Sequence, residues 1–150
     1  KNYPTPLHLA AANGHLDVLR LFHDYGAKFD MIALHHAAAR NYLDVVKFLL
    51  LKGEVRDSCL QCNCKPLHHS KLSVEDAHLY FCETALHAAV SRGHIDIVKA
   101  LLAFGNETLE CKHHSGKTVL MDAVKRNDSE MVCLLLKNGA NVTAQCGSKI

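Results

Sequence analysis

The apolar positions of this chain fall into short amphipathic blocks separated by glycine, asparagine and polar turns. Four blocks carry a stripe at a spacing near 3.6. They are Leu16, Leu19 and Phe22 with Val18 and Leu21 beside them; Val45, Val46, Leu49 and Leu50; Ile95, Val98, Leu101 and Leu102; and Met131, Val132, Leu134 and Leu135. That period predicts amphipathic helices. Asp17, Asp44, Asp96 and Glu130 fall in their first turns, where negative charge complements the positive end of the helix dipole. Gly26, Gly53, Gly105 and Gly139 follow the stripes and predict where the helices stop.

A second, alanine-rich block precedes each stripe. The first copy reads Thr5-Pro6-Leu7-His8-Leu9-Ala10-Ala11, the second Ile32-Ala33-Leu34-His35-His36-Ala37-Ala38, the third Thr84-Ala85-Leu86-His87-Ala88-Ala89, and the fourth Thr118-Val119-Leu120-Met121-Asp122-Ala123. A leading Thr can cap a helix by accepting a backbone N–H. Pro6 suits the first turn, where its missing N–H costs nothing. The alanines keep this helix slim, so that neighbouring units approach closely. Between the paired helices, Gly14 and Gly93 allow a sharp turn, and Asn41 and Asn127 replace them because Asn tolerates positive φ.

This unit resembles the ankyrin repeat: T-P-L-H-x-A-A, a G-H turn, then an aliphatic helix closed by glycine. Residues 84–105 carry the best copy and 5–27 the next, and the resemblance covers nearly the whole chain. It implies an all-α fold, an ankyrin-repeat solenoid of stacked helix-turn-helix pairs with hairpin loops and a curved binding face. Repeats are expected at about 4–27, 31–53, 83–106 and 117–140 of a single domain, 1–150, read as a fragment of a longer array. The spacing is uneven. Leu7 to Leu34 is 27 residues, Leu34 to Leu86 is 52, and Leu86 to Leu120 is 34. Leu67, 33 after Leu34, marks an expected incomplete copy at 64–82. Two explanations stand: natural irregularity, or segments missing from the sequence near 27–31 and 70–83.

Composition narrows the function. Lys plus Arg is 17 and Asp plus Glu 15, a net charge of +2, with 49% hydrophobic and 21% charged residues. A disordered chain and general electrostatic binding to nucleic acid are both excluded. No apolar run approaches the length of a membrane span, and no signal-type apolar segment follows Lys1-Asn2-Tyr3-Pro4. Seven cysteines at irregular spacing point to a reducing, intracellular setting, cytoplasmic with the nucleus compatible.

The chemistry is sparse. His8, His35, His68 and His87 occupy the T-P-L-H position, which in ankyrin repeats resembles a structural hydrogen bonder. His15 and His94 follow the turn position, and His23, His36, His69, His78, His113 and His114 read as structural or solvated. Cys59, Cys62, Cys64 and His68 have a local density and a C-x-x-C spacing that zinc could use. They also fit an ordinary hairpin, no second C-x-x-C follows, and no metal or other cofactor is expected. No G-x-S-x-G, glycine-rich phosphate loop or H-E-x-x-H is present, so no catalysis is expected.

Surface recognition remains, with a protein or acidic peptide as partner and neighbouring repeats of the same chain as the packing partners of each repeat. The resemblance places partner contacts on Asn13, Arg40, Arg92, Lys125 and Arg126 near the turns, and on Tyr80, Phe81, His113 and His114 at hairpin tips. Arg40, Arg92 and Arg126 are expected to align as a basic column, interrupted by the incomplete copy. Arg offers bidentate contacts to carboxylates, and a cation also suits a helix C-terminus. The alternative is an ankyrin domain that gives structural or regulatory coupling within a larger protein such as an ion channel, a kinase or a ubiquitin-ligase adaptor.

Overall fold

A computed structural model describes residues 5–52, 55, 83–106, 108–113 and 115–146. These form eight α-helices and no strand among the described residues. The order is α1 (Pro6–Ala12), α2 (Leu16–Asp24), α3 (Met31–Ala39), α4 (Leu43–Leu51), α5 (Ala85–Arg92), α6 (Ile95–Phe104), α7 (Val119–Lys125) and α8 (Ser129–Lys137). Consecutive helices pair, and the pairs stack into the expected all-α solenoid. The first helices of successive pairs pack in the order α1, α3, α5, α7; α2, α4 and α6 form the second layer.

The local rules behave as the residue types require. Thr5 and Thr84 accept the His8 and His87 backbone N–H groups at 3.3 and 3.2 Å and cap α1 and α5. Thr118 precedes α7 with extended backbone, but its buried hydroxyl makes no cap. Asn41 and Asn127 take φ of 64° and 56° at the turns. The aliphatic stripes and the alanines interlock in one continuous core, which runs from Ala10 to Ala140.

The second unit begins earlier than its motif suggests. Ile32 occupies the place of Thr5 and cannot cap a helix. Asp30, two residues upstream, does so instead and accepts the Ala33 N–H at 3.0 Å. The 27-residue spacing is thus met by a connector of four residues, Ala27–Asp30, with the Ala27 N–H on the Phe22 carbonyl at 2.9 Å. The expected incomplete copy at 64–82 lies outside the described residues. The helices on either side of it are direct neighbours: α3 packs on α5, and α4 on α6.

Candidate functional site

The turns between paired helices form one edge of the stack, and each reaches back to the turn before it. The Tyr42 ring lies over Gly14, so closely that a Cβ on that glycine would stand 2.6 Å from it. His94 Nε2 donates to the Ala39 carbonyl at 3.3 Å. The Arg126 guanidinium donates through Nη1 to the Ser91 carbonyl at 3.0 Å, and its Nη2 would stand 2.7 Å from a Cβ at Gly93. Three different side chains thus make the same kind of join. The His94 bond joins the second and third described turns directly, and the incomplete copy expected between them lies outside the described residues.

The residues expected to meet a partner divide along this edge. Asn13, Arg40, Arg92, Lys125 and Arg126 are all exposed. Asn13 Nδ2 donates to the Leu9 carbonyl at 2.8 Å, and Arg92 Nη1 to Ala88 at 3.3 Å, so both close their own helices. Arg126 is held between repeats. Arg40, at the C-cap of α3, makes no side-chain hydrogen bond or ion pair among the described residues, and neither does Lys125. Tyr80, Phe81 and His114 lie outside the described residues. So do Cys59, Cys62, Cys64 and His68, while no group of three metal-ligating side chains occurs among the described residues. His113 is half-buried, not a free hairpin tip: its Nε2 meets Asp122 at 3.2 Å and its ring meets His87 edge to face at 5.3 Å.

A ladder of histidines and carboxylates runs along the start of the first helices. The Thr5 N–H donates to His8 Nδ1 at 3.2 Å, which leaves the proton on Nε2. That Nε2 donates to both Asp30 oxygens, at 3.0 and 2.9 Å. Asp30 therefore caps α3 and ties it to α1. Next along the ladder, His35 Nε2 stands 3.6 Å from Glu83, and the His36 ring lies beside those of His35 and His8. Burial, with the neighbouring His35 and His8, pushes the His36 pKa down from 6.5 to about 4. His87 is likewise pushed down to about 4, first by burial and then by His113, against the pull of Asp122 and the Lys117 backbone. Of these contacts, the His8–Asp30 hydrogen bonds tie the first pair to the second. Two hydroxyls meet the ladder: Thr84 Oγ1 lies 2.9 Å from His87 Nδ1, and Ser115 Oγ lies 3.1 Å from His113 Nδ1.

The sequence places His8, His35 and His87 as structural but does not give their carboxylate partners. Asp30 could have been found: an acidic residue stands just ahead of a helix whose expected cap, Ile32, has no oxygen to offer. The joins made by Tyr42 and His94 left no such signal, because each depends on which turn lies next in space.

Paired helices of one kind, stacked through a common core with a left-handed residue at every turn, settle the architecture. A family model described as "Ankyrin repeats (3 copies)" matches residues 1–61 and 58–146. The chain belongs to the ankyrin repeat family. The "B-cell lymphoma 3 protein homolog" of Mus musculus is 35% identical over 142 residues, covering 94% of this chain and 30% of its own length. The "Transient receptor potential cation channel subfamily A member 1 homolog" of Caenorhabditis elegans is 26% identical over 159 residues, covering 92% of this chain and 13% of its own. The "Probable 26S proteasome regulatory subunit p28" of Saccharomyces cerevisiae is 23% identical over 141 residues, covering 89% and 54%. This chain thus spans about half, or much less, of each relative. Ankyrin repeats generally serve as protein-interaction modules and are typically non-catalytic. No helix among the described residues is long and apolar enough to cross a membrane.

Proposed function

We propose that this chain is a protein-interaction module without catalysis of its own, and that a protein or acidic peptide binds its first helices and the edge of turns. The observation that carries this is the unbroken row of turns joined by Tyr42, His94 and Arg126. It sets Arg40 and Lys125 on a rigid scaffold with their charges unspent, and a preorganised cation loses less entropy when a carboxylate arrives. Arg92 adds to the same positive edge, while Arg126 is a scaffold residue first.

A labelled oligoglutamate peptide tests this through fluorescence anisotropy. Replacing Arg40 and Lys125 together by Glu should weaken binding about tenfold or more and flatten its salt dependence. The urea midpoint should not change, because both residues are exposed. Equal affinity of the wild type and the double variant would remove this face as the acidic-peptide site. The second reading is coupling within a larger cytoplasmic protein. It rests on the channel relative, whose likeness runs through 92% of this chain.

A further inference from the structure

A cleft of about 310 Å³ opens on the edge of turns, between the first and second described pairs. Gly14 and Leu16 form one wall and Tyr42, Leu43 and Asp44 the other, with Asn41 beside them. The walls come from two adjoining pairs, so the cleft lies between repeats and not on an end face of the stack.

The chemistry of this place changes along the edge. Tyr42-Leu43 in the second described turn become His94-Ile95 in the third and Asp128-Ser129 in the fourth. Leu16, Tyr42 and Leu43 pack on the core but are only half-buried, so part of each apolar side chain stays open to the cleft. In the fourth turn Asp128 instead caps α8, accepting the Met131 N–H at 3.0 Å. The edge is thus apolar at its first join and polar at its last, where Lys125 is exposed. Charge then decides what the cleft can hold. Asp44 is exposed on its wall and repels a carboxylate, and Arg40, one residue before Asn41, repels a cation. A neutral apolar side chain meets neither penalty and covers the exposed flanks of Leu16, Tyr42 and Leu43.

We propose that this cleft takes one apolar side chain of the partner peptide, of the leucine class, while acidic residues of the same peptide run along the turns past Arg40 to Lys125. This rests on the acidic-peptide reading above and gives the bound peptide a polarity. An apolar anchor in a pocket carries binding energy, and the charges around it fix register. Lys125 lies two described pairs beyond Arg40. Helices pack about 8–10 Å apart and an extended peptide rises about 3.3 Å per residue, so about six residues separate the anchor from the residue that meets Lys125.

Fluorescence anisotropy with labelled octaglutamate peptides tests this. The peptides carry leucine or alanine at one end, N-terminal in one set and C-terminal in the other. In one of the two orientations leucine should bind about tenfold more tightly than alanine. Leu16→Gln should erase that difference and leave the affinity for the alanine peptide unchanged. Far-UV circular dichroism checks that the variant is folded; should it fail to fold, Leu43→Gln replaces it. Equal affinity for leucine and alanine peptides in both orientations overturns the cleft and leaves the acidic-peptide reading standing. Absence of binding by every peptide removes both. A leucine advantage that survives Leu16→Gln also overturns the proposal, as does a terminal lysine that binds more tightly than leucine, which would make the cleft a cation site.

Discussion

Gly14 and Gly26 both hold a left-handed backbone, at φ of 71° and 79°, yet they face different surroundings. An alanine at either pays for the left-handed conformation, about 1 kcal/mol. At Gly26 nothing lies within 4 Å of the added Cβ, but at Gly14 the Tyr42 ring is already there. Gly14→Ala should therefore lower stability by about 1 kcal/mol or more beyond Gly26→Ala, because overpacking adds to the backbone cost. Urea unfolding of both variants measures this. In a Tyr42→Ala background the excess should vanish; if it persists, the ring is not its cause. The same reasoning separates the arginines. Arg126→Ala loses a hydrogen bond between repeats and should cost about 0.5–1.5 kcal/mol. Arg40→Ala loses no bond among the described residues and should be neutral to stability.

At the scale of an element, the buried His87 and half-buried His36 of the first helices set how the stack responds to acid. The His87 pKa lies below its unfolded value of 6.5, at about 4, mainly because burial disfavours the cation. Between those values the unfolded chain binds more protons than the folded one, so stability falls as pH drops. The contribution is fully present above pH 6.5 and lost as the solution approaches pH 4, for a total of about 3 kcal/mol. His36 acts with the same sign, weakened by its partial exposure. A urea series should show the midpoint falling across this window, with His87→Gln flattening the fall. A wild-type midpoint constant from pH 6.5 to 4.5 would contradict the lowered pKa of His87 and His36. Asp30 carries the opposite lesson. Asp30→Ala removes both the α3 cap and the His8 acceptor, and should cost more than the roughly 1 kcal/mol of a lost cap alone. The helices themselves were legible because the 3.6 period, the caps and the turn residues are local. Asp30, Glu83 and Asp122 were not legible as partners, because no local pattern says which histidine each carboxylate will face.

For the whole molecule, the deciding contact is α3 on α5. Leu34 and Leu86 are 52 residues apart, but the helices that carry them are neighbours in one core. In a stack of this kind, stability is close to a sum of repeat terms and nearest-neighbour interface terms. The second and third described pairs meet directly. The inner layer of their interface is α3 on α5, the outer layer α4 on α6, and His94 joins the turns. If the expected copy at 64–82 takes no share of that core, exchanging residues 57–80 for a flexible Gly/Ser linker of about ten residues changes chiefly the loop-closure entropy, which varies by only about 0.6 kcal/mol per doubling of length. The shortened chain should keep the helical circular dichroism of the parent and a urea midpoint close to it, with one cooperative transition. An expected incomplete repeat at 64–82 that shared the core would give another result. Its excision would remove buried aliphatic surface on both sides, lower the midpoint and split the transition into two halves. A single transition at nearly unchanged midpoint therefore separates a four-repeat spine carrying an insertion from a five-repeat array, and a split one would require that α3 and α5 depend on the segment between them.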